Sequence, residues 1–210
     1  MSISDVVRGF LDLLAPPRCA ACDDPMARAE AFCEACGALL EPLDGGGAYA
    51  FGGPLATAIH RFKYRDHPEL AKPLAQCMTA GVLAMLKAHP VDALIAVPLA
   101  PMRLRKRGYD QSALLVRALA SELKIPCAMG VLMRCRETSA QALLDAEQRR
   151  ENVLDAFVAS TAVRGLRWLV IDDVRTTGAT LEAASHALMR AGAKRVQSFT
   201  LAVAPKDTSV

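Results

Sequence analysis

The chain holds no Gly-Lys pair in its 210 residues, so no G-x-x-x-x-G-K-[ST] phosphate loop exists and P-loop ATPase chemistry is excluded. A secretory leader pattern is also missing. Asp5, Arg8 and Asp12 interrupt Met1–Leu14, where a signal peptide would place a basic stretch followed by an apolar one. The uncharged run Pro73–Leu86 falls short of the ~20 apolar residues of a membrane crossing, so a cytoplasmic protein without membrane insertion is expected. There is no even cysteine count. Seven cysteines, four of them in a metal-like pattern, argue against a disulfide framework and for a reducing compartment. Charge of one sign is not abundant either, and a net charge of +3 implies a polyanionic partner only where basic residues cluster.

With 52% apolar residues the chain can bury a core, and its length suits one α/β domain with a small appendage. Met1–Leu14 carries Ile3, Val6, Val7, Phe10, Leu11 and Leu14 on one helical face and is ended by Pro16-Pro17. Residues 18–42 bear cysteines and little strand character, and Gly45-Gly46-Gly47 reads as a flexible connection. The expected units are therefore 1–44 and 48–210. Two helical patterns in Gly52–Leu86 are separated by Asp66-His67-Pro68. Strands at Ala93–Val97, Cys127–Met133, 168–171 and 196–203 then alternate with helices at Gln111–Leu123 and 179–191. Such alternation predicts an α/β fold with a mostly parallel sheet flanked by helices.

Residues 168–180 read Trp-Leu-Val-Ile-Asp-Asp-Val-Arg-Thr-Thr-Gly-Ala-Thr. An apolar strand ending in Asp172-Asp173 places two carboxylates where open α/β sheets bind ligands. The loop Thr176-Thr177-Gly178-Ala179-Thr180 opens a helix, whose free N–H groups and dipole favour a phosphate. The acidic pair suits vicinal ribose hydroxyls or a hydrated divalent cation. Two other readings share parts of this pattern: a Walker B strand, which the missing P-loop disfavours, and a structural strand-to-helix turn.

Cys19, Cys22, Cys33 and Cys36 form C-x2-C-x10-C-x2-C, a spacing that closes a tetrahedral Zn²⁺ site. Four cysteine ligands leave no open position, so the zinc would be structural. The alternatives are unrelated thiols or a redox pair. Cys77, Cys127 and Cys135 sit in apolar contexts and are expected to be buried. Arg103, Arg105, Lys106 and Arg107 follow Val97-Pro98-Leu99, and suit either a pyrophosphate or a nucleic-acid patch. The long segment Arg134–Asn152, with Arg149 and Arg150, reads either as an active-site lid or as a partly exposed helix.

The Asp172–Thr180 segment resembles the phosphoribosyl-pyrophosphate (PRPP) signature of type I phosphoribosyltransferases. The resemblance narrows when other segments join it. The four-cysteine ribbon, Phe62-Lys63-Tyr64, Val97-Pro98-Leu99, Arg103 through Gln111, Arg134-x-Arg136-x-Thr138-x-x-Gln141, Arg149-Arg150-x-Asn152 and the acidic loop together are similar to the ComF family. Asp110 departs from that pattern, in which Asn is more usual. The resemblance implies a type I phosphoribosyltransferase fold, PRPP bound with Mg²⁺, and an association with competence and DNA uptake beside a helicase-like partner. Residue by residue it implies Asp172 and Asp173 for ribose, Thr176, Thr177, Gly178, Ala179 and Thr180 for the 5-phosphate, and no role for Arg175. Arg103, Arg105 and Arg107 would face the pyrophosphate, and Arg149 or Arg150 would close over it. Transfer of phosphoribose to an unidentified acceptor is one implied function. The other is non-catalytic binding of single-stranded DNA or a partner protein. No residue stands out as a reader of an acceptor base, and residues 1–70 are expected to form the variable hood.

Overall fold

The apolar run from Trp168 to Ile171 is buried on both faces of a sheet, as its uninterrupted character requires. The computed structural model describes residues 16–64, 66–135 and 156–205. The helix expected in Met1–Leu14 lies outside these residues, as does Arg134–Asn152 beyond Cys135. In chain order the elements are the single turn α1 (Glu34–Gly37), β1 (Gly47–Ala50), α2 (Gly53–Tyr64), α3 (Ala71–Ala88), β2 (Ala93–Ala96), α4 (Pro101–Arg107), α5 (Gln111–Leu123), β3 (Leu132–Arg134), β4 (Phe157–Ala159), β5 (Arg167–Arg175), α6 (Ala179–Arg190) and β6 (Arg195–Val203).

The main sheet has the order β1-β6-β5-β2 and every pairing in it is parallel. One face, with Leu169, Ile171, Phe199 and Leu201, packs under α2, α3 and α5. The other, with Trp168 and Val170, packs under α6 and the antiparallel β3–β4 pair. Local chemistry explains the helix ends. The Asp110 side chain accepts from the Ala113 amide at 3.0 Å and caps α5, which Lys124 ends in a left-handed turn. Pro101 opens α4 and Gly108, at φ +83°, closes it.

Four expectations need correction. β5 continues past Ile171 to Arg175 because β6 keeps pairing beside it, with Asp172 opposite Thr200 and Arg175 opposite Val203. The acidic pair therefore lies inside the strand. β2 stops at Ala96, opposite Ile171, so both carboxylates occupy the stretch where β5 has lost that neighbour. Cys127–Met133 is not one strand. Cys127 makes a single parallel bridge to Leu94, and Leu132–Arg134 then turns away to pair with β4. Nor is the glycine triplet a loose tether, since Gly47 opens β1. A Cβ there would stand 2.4 Å from Val203 Cγ2, so only glycine admits this approach of β1 to β6. Among the cysteines outside the quartet, Cys127 and Cys135 are exposed rather than buried.

Candidate functional site

Asp172 and Asp173 are held from different helices. Asp172 Oδ1 accepts from Ser112 Oγ at 2.7 Å, at the start of α5, and from the Asp173 amide at 3.0 Å. Burial, reinforced by the adjacent Asp173 charge, pushes its carboxyl up to about 7. Asp173 is buried and its Oδ2 lies 2.7 Å from Lys63 Nζ, on the last turn of α2. Among the described residues Oδ2 receives no aligned hydrogen bond, so that contact is ionic.

Thr176 and Thr177 form the turn after β5, Gly178 caps α6, and Ala179 and Thr180 are its first residues. Gly178 has φ +86°, a conformation that glycine adopts without strain. Thr177 Oγ1 accepts from the Ala179 amide at 3.4 Å. A cleft of about 450 Å³ opens on this turn, lined by Arg175, Thr176, Thr177, Gly178, Glu182 and Ser185 among others. Thr176, Thr177 and Gly178, the cap of a twelve-residue helix, thus line one space together with Arg175 and Glu182, whereas Ala179 and Thr180 are not among its lining residues.

The basic segment forms α4 and walls a second cleft of about 690 Å³, lined by Lys63, Tyr64, Asp66, Arg103, Arg105, Lys106, Arg107 and Gly108. Five cations face one carboxylate there. Arg107 is partly committed, donating to Gln111 Oε1 and lying 5.1 Å from the Tyr64 ring centroid. The two clefts have no lining residue in common. Lys63 links the basic cleft to the acidic pair through Asp173, while neither Asp172 nor Asp173 is among the lining residues of either cleft.

Residues 109–210 match the family model of the Phosphoribosyl transferase domain, and residues 10–60 that of the Double zinc ribbon domain. The chain is 34% identical over 155 residues to Competence protein F of Haemophilus influenzae, covering 71% of this chain and 68% of that one. The chain belongs to the ComF family. The DNA utilization protein YhgH of Salmonella typhi is also 34% identical, over 151 residues, which cover 70% of the ComF-family chain and 66% of that relative's length. A solved glutamine PRPP amidotransferase from B. subtilis overlays 67% of the chain and 30% of its own, at 21% identity and a TM-score of 0.45.

The zinc-ribbon match falls on four cysteines, enough for one metal site. Their sulfurs all lie within 4.8 Å of one another, and Cys22 Sγ and Cys33 Sγ are 3.7 Å apart. Four Zn–S bonds of ~2.3 Å in a tetrahedron set adjacent sulfurs about 3.8 Å apart, so the quartet fits that ion. Within it the Cys19 thiol is lowered to about 6: burial raises it, but backbone donors, first that of Cys33, outweigh burial.

Asp110 turns both carboxylate oxygens onto backbone, Oδ1 to Ala113 N and Oδ2 to Leu99 N at 2.8 Å. The Asp110 side chain therefore ties the start of α5 to the segment after β2. Arg149 and Arg150 lie outside the described residues. Sequence reasoning assigned no role to Lys63 or Ser112. Lys63 stood within the quoted Phe62-Lys63-Tyr64 and Ser112 followed the quoted Gln111, but neither position indicates a partner on β5.

Proposed function

We propose that this ComF-family chain binds PRPP with Mg²⁺ around the end of β5, and that it transfers phosphoribose to a nucleophilic acceptor. The observation that carries the reading is Asp173 Oδ2, a buried carboxylate oxygen that among the described residues has an ionic neighbour and no aligned hydrogen bond. Ribose hydroxyls or the water of a hydrated cation are donors of the kind it lacks. Asp172, held near Ser112, would accept a second hydroxyl. The 5-phosphate would lie at the loop Thr176, Thr177, Gly178, Ala179 and Thr180, the first three of which line the cleft. Arg103, Arg105 and Arg107 would face the pyrophosphate from the basic cleft, with Arg149 or Arg150 closing over it. Mg²⁺, when bound, would offset negative charge that builds on the departing pyrophosphate.

Names of relatives that refer to competence and DNA utilization support a role in DNA uptake. Release of pyrophosphate from PRPP across a panel of bases and amines tests transfer. Turnover with one of them is the expected result, and silence from protein that binds PRPP removes the transferase step.

A second reading rests on Tyr64, which is 66% exposed at the lip of the cation-lined cleft. An exposed ring beside clustered cations is the composition of single-stranded nucleic-acid sites. Salt-dependent binding of single-stranded DNA that survives Asp172→Ala would favour it.

A further inference from the structure

Helix α2 touches the cysteine quartet with one side chain and the acidic pair with another. Arg61 Nη1 donates to the carbonyls of Cys19 and Ala20, at 3.1 and 3.2 Å, and Nη2 pairs with Asp23 Oδ1 at 2.6 Å. Only 12% of the Arg61 side chain is exposed, so its guanidinium is enclosed against the turn that carries Cys19 and Cys22. Two residues further on, Lys63 reaches Asp173. A two-residue step on a helix turns the direction by about 200°, so these side chains leave α2 on opposed sides. Phe62, between them, is fully buried in the same apolar cluster as Cys19 and Ala20, and its carbonyl accepts from the Tyr109 hydroxyl. Leu55, Ala58, Ile59 and Phe62 pack the inner face of α2 into the core, so a displacement of the helix is felt by the cluster beneath it.

We propose that Arg61 is a positioning residue that ties metal occupancy of the Cys19, Cys22, Cys33 and Cys36 quartet to the placement of Lys63 against Asp173. Closing the quartet around an ion fixes the direction of the Cys19 and Ala20 carbonyls, which are the acceptors that hold Arg61. Loss of the ion frees that turn, and the guanidinium follows Asp23 and the loosened carbonyls. The register of α2 against β5 then relaxes, and Asp173 loses the fixed cation beside it. The consequence for ligand binding rests on the phosphoribosyl reading of the acidic pair. The coupling itself does not, because it is measurable without ligand.

The test is hydrogen–deuterium exchange of the full chain under reducing conditions, zinc-loaded and zinc-stripped, followed over Gly53–Tyr64 and Ile171–Arg175. Stripping is expected to speed exchange about tenfold in both segments, the size of a typical coupling between sites. Zinc-loaded Arg61→Ala should show the same acceleration while keeping the wild-type zinc content, and stripping it should add little at Ile171–Arg175. Arg61→Lys keeps the charge but has one nitrogen where Arg61 sets Nη1 on the two carbonyls and Nη2 on Asp23, so it should behave like Arg61→Ala and serves if that variant fails to fold. Acceleration confined to residues 18–42, or zinc-loaded Arg61 variants that exchange like wild type at Ile171–Arg175, would overturn the proposal. PRPP titrations on the same samples keep the two readings apart. Coupled exchange without PRPP binding upholds the Arg61 link and removes the phosphoribosyl reading, whereas coupled exchange with equal affinity in loaded and stripped protein upholds the link and removes its consequence for ligand binding.

Discussion

Lys63 Nζ stands 2.7 Å from Asp173 Oδ2, linking the last turn of α2 to the strand that leads into the Thr176–Gly178 turn. Removing the cation would leave a buried carboxylate without a counter-charge. Lys63→Met is expected to lower stability by about 2–4 kcal/mol, a figure reduced from that of a fully buried pair because Lys63 is 19% exposed. The double variant with Asp173→Asn should recover part of this loss. Urea denaturation of the two variants and wild type measures both effects, and a double variant weaker than Lys63→Met would contradict the pairing.

Asp172 predicts a pH dependence of stability in the ligand-free protein. Its folded pKa, about 7, is above the unfolded value of roughly 4, so the folded chain binds the proton more tightly. The stability this confers is complete below about pH 4 and is lost as pH rises through about 7. Asp172→Asn keeps the Oδ1 acceptor for Ser112 and carries no charge. At pH 8 it should be more stable than wild type by on the order of 2–4 kcal/mol, with the gap closing toward pH 4.5. Thermal unfolding at the two pH values checks this, and a gap that does not change with pH would refute it.

Asp110 ties α5 to the segment after β2 through two backbone amides. Asp110→Ala should cost about 1–2 kcal/mol, and Asp110→Asn less, since it retains one acceptor. Neither oxygen faces the clefts, so PRPP affinity should be unchanged in Asp110→Asn. A stability curve paired with a titration reads both, and a lost affinity at full stability would place this side chain in the ligand site instead.

The central strand, its turn and α6 were legible in the sequence because their signals are local: a continuous apolar run, a glycine in the hydroxyl-rich loop and helical spacing of Leu181, Ala184 and Leu188. Gln111–Leu123 was legible for the same reason, with Asp110 as its cap. What escaped depends on partners far along the chain. The extension of β5 to Arg175 is imposed by β6, and Leu132–Arg134 is a strand because β4 lies beside it. The Lys63–Asp173 and Ser112–Asp172 contacts close over long separations, and no spacing rule reports them. Gly47 looked like a linker because glycine serves both as flexible tether and as close-approach residue.

The quartet predicts that reduced, purified protein carries one zinc per chain by native mass spectrometry. Chelation should unfold the ribbon and leave the parallel sheet, because the free energy of a structural metal is local folding free energy. Metal-free protein with an intact ribbon by exchange would refute the assignment.

The most direct measurement is a calorimetric titration of PRPP with Mg²⁺ into folded, zinc-loaded protein, run beside Thr177→Val and Asp173→Asn. The account predicts saturable binding at one site per chain, weakened in both variants. No heat with wild type at several temperatures, or equal binding in all three proteins, would contradict it.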